Sequence, residues 1–150
     1  MKVERIFTRN VLSTTRAASL AEAAATMRRF KVGALLVTAG ASNTTEPVGI
    51  VTDRDLALQG FTAEANTVGD AMTPIVAMIR EDAEVHEALE TMRAHGVRRL
   101  VVTTARGRVS GMLSIDDIVD GLAIEIVAAA AVLKGEIRHD SAGLGNVKVG

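Results

Sequence analysis

Two stretches of the chain carry apolar residues at helical spacing: Leu20, Ala23, Ala24 and Met27 in the first, and Val85, Ala88, Leu89 and Met92 in the second. Charged residues fill the positions between them, so each stretch predicts an amphipathic helix with one buried face. The two patterns lie about 65 residues apart, and the pairs Glu22/Glu87, Ala23/Ala88, Thr26/Thr91, Met27/Met92 and Arg28/Arg93 are identical. The offset runs on through Val32/Val97, Leu35/Leu100 and Val37/Val102, then shortens by about three where the first copy has a longer loop before Gly49. Such an insertion costs little, because loop-closure entropy rises slowly with length. Self-similarity at a fixed period marks a duplicated structural unit.

Around each helix the local signals change in a fixed order. An extended stretch precedes it, at residues 10–13 or 75–79, and Gly96 stands where the second helix should end. β-rich segments follow at 32–38 and 97–103, then turns containing Gly40 or Gly107, then short apolar strands at 48–51 and 109–113. A second helix begins after Thr52 or Ser114, and the later one places Ile118, Leu122, Ile126 and Val127 toward one side. Each unit is therefore β-α-β-β-α, and the chain is a mixed α/β (α+β) protein. The expected organisation is repeat 1 over 1–61, a small, polar connector over 62–69, repeat 2 over 70–134 and a glycine-containing tail over 135–150.

Composition narrows the function classes. The 150 residues suffice for one compact domain or two small packed halves, with no room for a separate catalytic domain. Aromatic residues make up 2% of the chain, so the core must be aliphatic. A net charge of −1 and the absence of Trp and Tyr give no basic field and no stacking platform, which argues against polymeric nucleic acid as a partner. Without Cys there are no disulfides and no thiolate metal sites, and the expected compartment is the cytoplasm. Residues 1–5 lack the apolar run of a signal peptide, and the apolar stretch 126–133 is too short to span a bilayer, so no membrane role is expected.

The candidate chemistry lies in a second repeated pattern. Gly49-Ile50-Val51-Thr52-Asp53-Arg54-Asp55 and Gly111-Met112-Leu113-Ser114-Ile115-Asp116-Asp117 each run a strand into a helix start, with a hydroxyl and then a carboxylate three residues later. One interpretation is capping: the hydroxyl accepts from an early helical N–H, and the acid sits well against the helix dipole. The other is ligand binding, since a hydroxyl at a helix start suits a phosphate and a carboxylate can take two ribose hydroxyls.

These paired motifs, the β-α-β-β context and the Asp70-Ala71-Met72-Thr73-Pro74 run that opens the second copy resemble the cystathionine β-synthase (CBS) domain, over essentially residues 3 to 133. The resemblance implies two repeats packed about a pseudo-twofold axis, with two related clefts that take AMP, ADP, ATP, NAD or S-adenosylmethionine. It further implies that Thr52 with Asp55 serves one cleft and Ser114 with Asp117 the other. Leu12 and Ala77 would line the adenine, and Gly33-Ala34 and Arg98-Arg99 would face the ribose and phosphates. Strand alternation sends Arg98 and Arg99 to opposite faces, so only one is expected to reach a given cleft. Gly33 and Ala34 hold the matching places without cationic side chains, which makes the two clefts unequal. Arg54 lies inside the first motif as a further phosphate contact, although a first-turn Arg more often points into solvent.

Other features add no function. His86, His95 and His139 lack zinc-like spacing, Met27 and Met92 are equivalent core positions, and no P-loop or dinucleotide fingerprint is present, the glycines falling in turns and at helix ends. No catalytic constellation, metal site or obligatory cofactor is expected. The expected function is a regulatory sensor of adenine nucleotides acting on an unknown effector protein. A ligand-free dimerisation module is the alternative and an enzyme the weakest class. Homodimerisation is implied by the resemblance, and the run Ala128-Ala129-Ala130-Ala131 permits close helix approach.

Overall fold

The computed structural model describes residues 1–40, 46–59, 66–74 and 77–143, with side chains in the last helix as far as residue 135. In chain order, a 3-10 turn (Val3–Arg5) leads to β1 (Thr8–Arg9), β2 (Ser13–Thr15), α1 (Leu20–Phe30), β3 (Ala34–Thr38), β4 (Pro47–Thr52) and α2 (Asp53–Gln59). The second half repeats this with α3 (Val68–Ala71), β5 (Thr73–Pro74), β6 (Met78–Arg80), α4 (Val85–His95), β7 (Arg99–Thr103), β8 (Val109–Ser114) and α5 (Ile115–Gly143). The expected β-α-β-β-α order is present in both halves.

Local chemistry accounts for the helix boundaries. Ser19 and Glu22 form a reciprocal capping box at the start of α1: the Glu22 N–H donates to Ser19 Oγ at 3.1 Å, and the Ser19 N–H donates to the Glu22 carboxylate at 2.7 Å. Two of the N–H groups that a helix start leaves unpaired are satisfied in this way. As expected, α4 ends at Gly96, whose φ of 64° lies in the left-handed region. In α1 the equivalent position is Lys31, which adopts φ 54° despite its Cβ.

The strands sort their side chains by alternation. On β3, Leu35 and Val37 enter the core under α1 while Leu36 faces the other way; on β7, Leu100 and Val102 enter the core under α4 while Val101 faces the other way. Leu36, Val101 and Met112 meet in a third apolar cluster that joins the two sheets. Met27 and Met92 are both buried beneath their helices.

The sheets run β1-β8-β7-β6 and β2-β3-β4-β5, so each contains a two-residue strand from the other half. Thr8 and Arg9 pair with Met112 and Gly111, and Thr73 and Pro74 pair with Ile50 and Gly49. The hydrophobic residues preceding these strands follow them. Val3 and Phe7 are buried with Leu100, Leu113 and Ile118, whereas Val68 and Ala71 are buried with Leu35 and Val51. Exchanging the halves maps one set of pairings onto the other, which gives the molecule its pseudo-twofold symmetry.

This crossing explains Gly49 and Gly111, which lie within strands rather than in turns or at helix ends. A Cβ on Gly111 would collide with the Thr8 carbonyl and approach Phe7 ring carbons to 2.7 Å, and one on Gly49 would collide with Met72 and lie 3.0 Å from the Thr73 carbonyl. The motif glycine is therefore the surface on which the other half's leading segment rests.

Three expectations are modified. Asn10 is not extended but takes φ 57°, turning the chain from one sheet to the other, a conformation that Asn tolerates better than most residues. Of the expected connector, residues 62–65 lie outside the described residues, and Val68 at its far end is fully buried. The chain past Gly135 continues α5 to Gly143, so much of the expected tail is helical; residues 144–150, and the Ile75 and Val76 part of the second extended stretch, lie outside the described residues.

Candidate functional site

Both hydroxyl–carboxylate pairs close on themselves in the same way. The Thr52 N–H and hydroxyl donate to Asp55 Oδ2 at 2.9 and 2.8 Å, and the Asp55 N–H donates back to Thr52 Oγ1 at 3.2 Å. At the second pair the corresponding distances are 2.8, 2.7 and 3.2 Å between Ser114 and Asp117. The capping interpretation thus describes the geometry of both pairs. It does not exhaust the carboxylates, because among the described residues Oδ1 of each accepts no hydrogen bond, leaving acceptor capacity that the cap does not use.

Thr52 of the first pair borders one cleft and Ser114 with Asp117 another, each cleft made jointly by the two halves. The first cleft, about 220 Å³, sets Ile50 and Thr52 of the first half against Thr73, Pro74, Ala77, Val97, Arg98 and Arg99 of the second. The second, about 270 Å³, sets Met112, Ser114 and Asp117 against Thr8, Asn10, Leu12, Val32, Gly33 and Ala34, with Arg99 again on its wall. Their similar volumes mean that chemistry rather than size distinguishes them. Positionally they are the same site: Ile50 matches Met112, Thr52 matches Ser114, Ala77 matches Leu12, and Arg98-Arg99 matches Gly33-Ala34.

Most of the residues singled out from the sequence meet in these clefts. Thr52, Ala77, Arg98 and Arg99 line the first; Leu12, Gly33, Ala34, Ser114 and Asp117 line the second. Asp55 does not line the first cleft but stands half-buried behind Thr52. Arg54 is exposed on α2 and lies on neither wall. The carbonyl of Leu12 already accepts from the Leu36 N–H at 3.0 Å, so it is committed to the fold.

The arginines depart from the alternation argument, since both border the first cleft. Arg98 precedes β7, which begins at Arg99, so the pleat does not govern its direction. Its guanidinium lies 4.0 Å from Asp116, both side chains being 75% exposed, and such an ion pair holds it weakly. The second cleft is not stripped of positive charge, because Arg99 reaches its wall. Thr8, Thr73 and Asn10 also line the clefts and were not anticipated. The signal for the threonines was present, since Thr8 and Thr73 stand at the offset of the repeat.

The CBS-domain family model matches residues 3–59 and 68–124, covering both leading segments, both helices and both motifs. The chain belongs to the CBS-domain family. Among its relatives, the uncharacterized protein YlbB of Bacillus subtilis is 34% identical over 120 residues, covering 78% of this chain and 79% of that protein. The chain spans 61% of the length of an uncharacterized relative from Methanopyrus kandleri, at 30% identity over 79% of this chain. Two solved CBS structures, both 26% identical with TM-scores of 0.67, hold AMP. One is CBSX2, covering 83% of this chain and 97% of that one; the other is PAE2072 from Pyrobaculum aerophilum, covering 78% and 89%. Among the described residues no helix is long and apolar enough to cross a membrane, and no cluster of His, Asp and Glu could hold a metal ion.

Proposed function

We propose that this pair of CBS repeats is a regulatory sensor that binds an adenosine ligand of the AMP, ADP, ATP, NAD or S-adenosylmethionine class in its central clefts and acts on a partner protein, without catalysing a reaction. The observation that carries this reading is the doubled hydroxyl–carboxylate pair, each with a free carboxylate oxygen, set opposite cleft walls that bring in Arg98 and Arg99. Adenine would lie against the aliphatic walls near Ala77 or Leu12, the phosphates at Thr52 or Ser114 and the arginines, and the ribose hydroxyls at Asp117 or, once its carboxylate turns past Thr52 into the first cleft, at Asp55. The AMP held by CBSX2 and PAE2072 supports the ligand class. ADP, ATP, NAD and S-adenosylmethionine share the adenosine moiety, and mass spectrometry of the ligand released from freshly purified protein would choose among them. The cytoplasm, where these metabolites occur, is the compartment this reading favours.

The capping geometry favours one alternative, a ligand-free interaction module. The two separate on Asp55→Ala and Asp117→Ala. A sensor loses the thermal stabilisation that AMP confers, which at a hundredfold excess over Kd amounts to about 2.7 kcal/mol. A purely structural cap loses basal stability, and AMP stabilises neither the variant nor the parent.

The same reading includes a homodimer. Val119, Ile124, Ile126, Val127, Val132 and Leu133 on α5 are all more than half exposed, and a helix apolar on all sides is ordinarily covered by neighbours. Sedimentation showing a monomer at high concentration would exclude the dimer.

A further inference from the structure

Among the described residues, Arg99 alone borders both clefts. Its place in β7 explains why. Leu100 and Val102 enter the second-half core, Val101 faces the junction of the two sheets, and alternation places Arg99 on the same side as Val101. Its counterpart in the first half is Ala34, part of the apolar cluster at that junction, so the side chain opposite is too small to close Arg99 off from the second cleft. Arg99 pairs in register with Ser114, the hydroxyl of the second cleft, and also stands beside Arg98 on the wall of the first. It is half-buried and takes part in no salt bridge among the described residues, so its charge is uncommitted.

We propose that Arg99 is a phosphate-binding residue shared by the two clefts, and that sharing makes them antagonistic for phosphate-bearing ligands. The inference rests on the sensor reading above. A guanidinium divided between two phosphates gives each fewer hydrogen bonds and less charge than one committed to a single phosphate. A ligand phosphate in the first cleft, where Arg98 adds a second cation, holds Arg99 there and leaves the second cleft without a positive charge. A second phosphate then binds more weakly, and by linkage a phosphate in the second cleft weakens the first to the same degree. An adenosine compound without phosphate makes no demand on Arg99 and escapes the antagonism. The chain thereby favours one phosphorylated and one uncharged adenosine ligand bound together.

Calorimetric titration of the whole chain with AMP and with adenosine tests this. AMP should bind in two steps, the second weaker by roughly tenfold beyond the statistical factor of about four that two equal sites show, whereas the two adenosine steps should differ by little more than that statistical factor. Pro74→Trp, on the exposed edge strand β5, fills the first cleft and frees Arg99. The single AMP site that remains should bind roughly tenfold more tightly than the second step of the parent, with adenosine binding there unchanged as a check on folding. An AMP affinity equal to the parent's second step would show the clefts to be independent and overturn the proposal. Should Pro74→Trp not fold, Ala34→Arg serves instead. A second cation at the matching position should bring the ratio of the two AMP steps down to roughly the statistical factor of about four, and an unchanged ratio contradicts the proposal. Failure of the parent to bind either AMP or adenosine at millimolar concentration would instead overturn the sensor reading.

Discussion

Replacing Gly111 by Ala probes the crossed packing of the two halves. The added methyl would collide with the Thr8 carbonyl and sit 2.7 Å from Phe7 ring carbons, where carbon atoms normally keep about 3.5–4.0 Å. Neither obstacle yields easily, because the carbonyl belongs to the backbone of β1 and the ring is only 7% exposed in the second-half core. β1 must therefore move away from β8 by roughly 1 Å, straining a two-residue ladder and loosening Phe7. Overpacking of a tight core costs about 1–3 kcal/mol. Partial loss of Phe7 burial, worth about 1.5–3 kcal/mol when complete, brings the expected destabilisation to about 2–4 kcal/mol. Urea denaturation followed by circular dichroism measures it. Gly49→Ala is the internal comparison and should cost less, because part of its obstacle is the flexible Met72 side chain. A loss below about 0.5 kcal/mol for Gly111→Ala, within the range of ordinary surface substitutions, would refute the crossed arrangement.

Further outcomes follow from other parts of the chain. Lys31→Gly should stabilise the fold by roughly 1 kcal/mol in thermal melts, since it relieves a left-handed residue at the end of α1, whereas Gly96→Lys should destabilise the matching helix end. Bonds from the Ser19 backbone and side chain hold Glu22 below the ordinary carboxylate range; Thr67 does the same for Asp70, and hydrogen bonds from Arg80 for Asp82. The unfolded chain therefore binds more protons in acid, so these groups support the fold above about pH 4 and lose that support as pH falls through their lowered values; melts of Asp70→Asn should show a shallower acid limb. Ile126→Glu with Leu133→Glu, both on the exposed face of α5, should convert a dimer to monomer in sedimentation without lowering the melting temperature of the isolated chain.

The repeat, the element order within each half, the end of α4 at Gly96 and the Thr52/Asp55 and Ser114/Asp117 motifs were legible in the sequence, because each leaves a local trace: periodicity, a turn residue or a paired motif; Leu12, Ala77, Gly33, Ala34, Arg98 and Arg99 were reached only through the resemblance to the CBS domain. The exchange of leading segments was not. A two-residue strand has no periodicity, and Phe7 rests on Gly111, about a hundred positions away, with nothing near either residue to announce the other. The glycines of the motifs were visible, but their reason for being glycine lay in that distant contact. The length of α5 was obscured by Gly135, whose low helix propensity the rest of the segment overrides. Alternation predicted one arginine per cleft and failed because β7 begins one residue after Arg98.

The central claim is that the clefts bind adenosine ligands. Isothermal titration of the purified chain, first stripped of anything carried through purification, tests it most directly with AMP, ADP, ATP, NAD and S-adenosylmethionine in turn. The account predicts saturable binding of at least one of them, lost in the Asp55→Ala, Asp117→Ala double variant. No heat of binding from any of the five at millimolar concentration would contradict it.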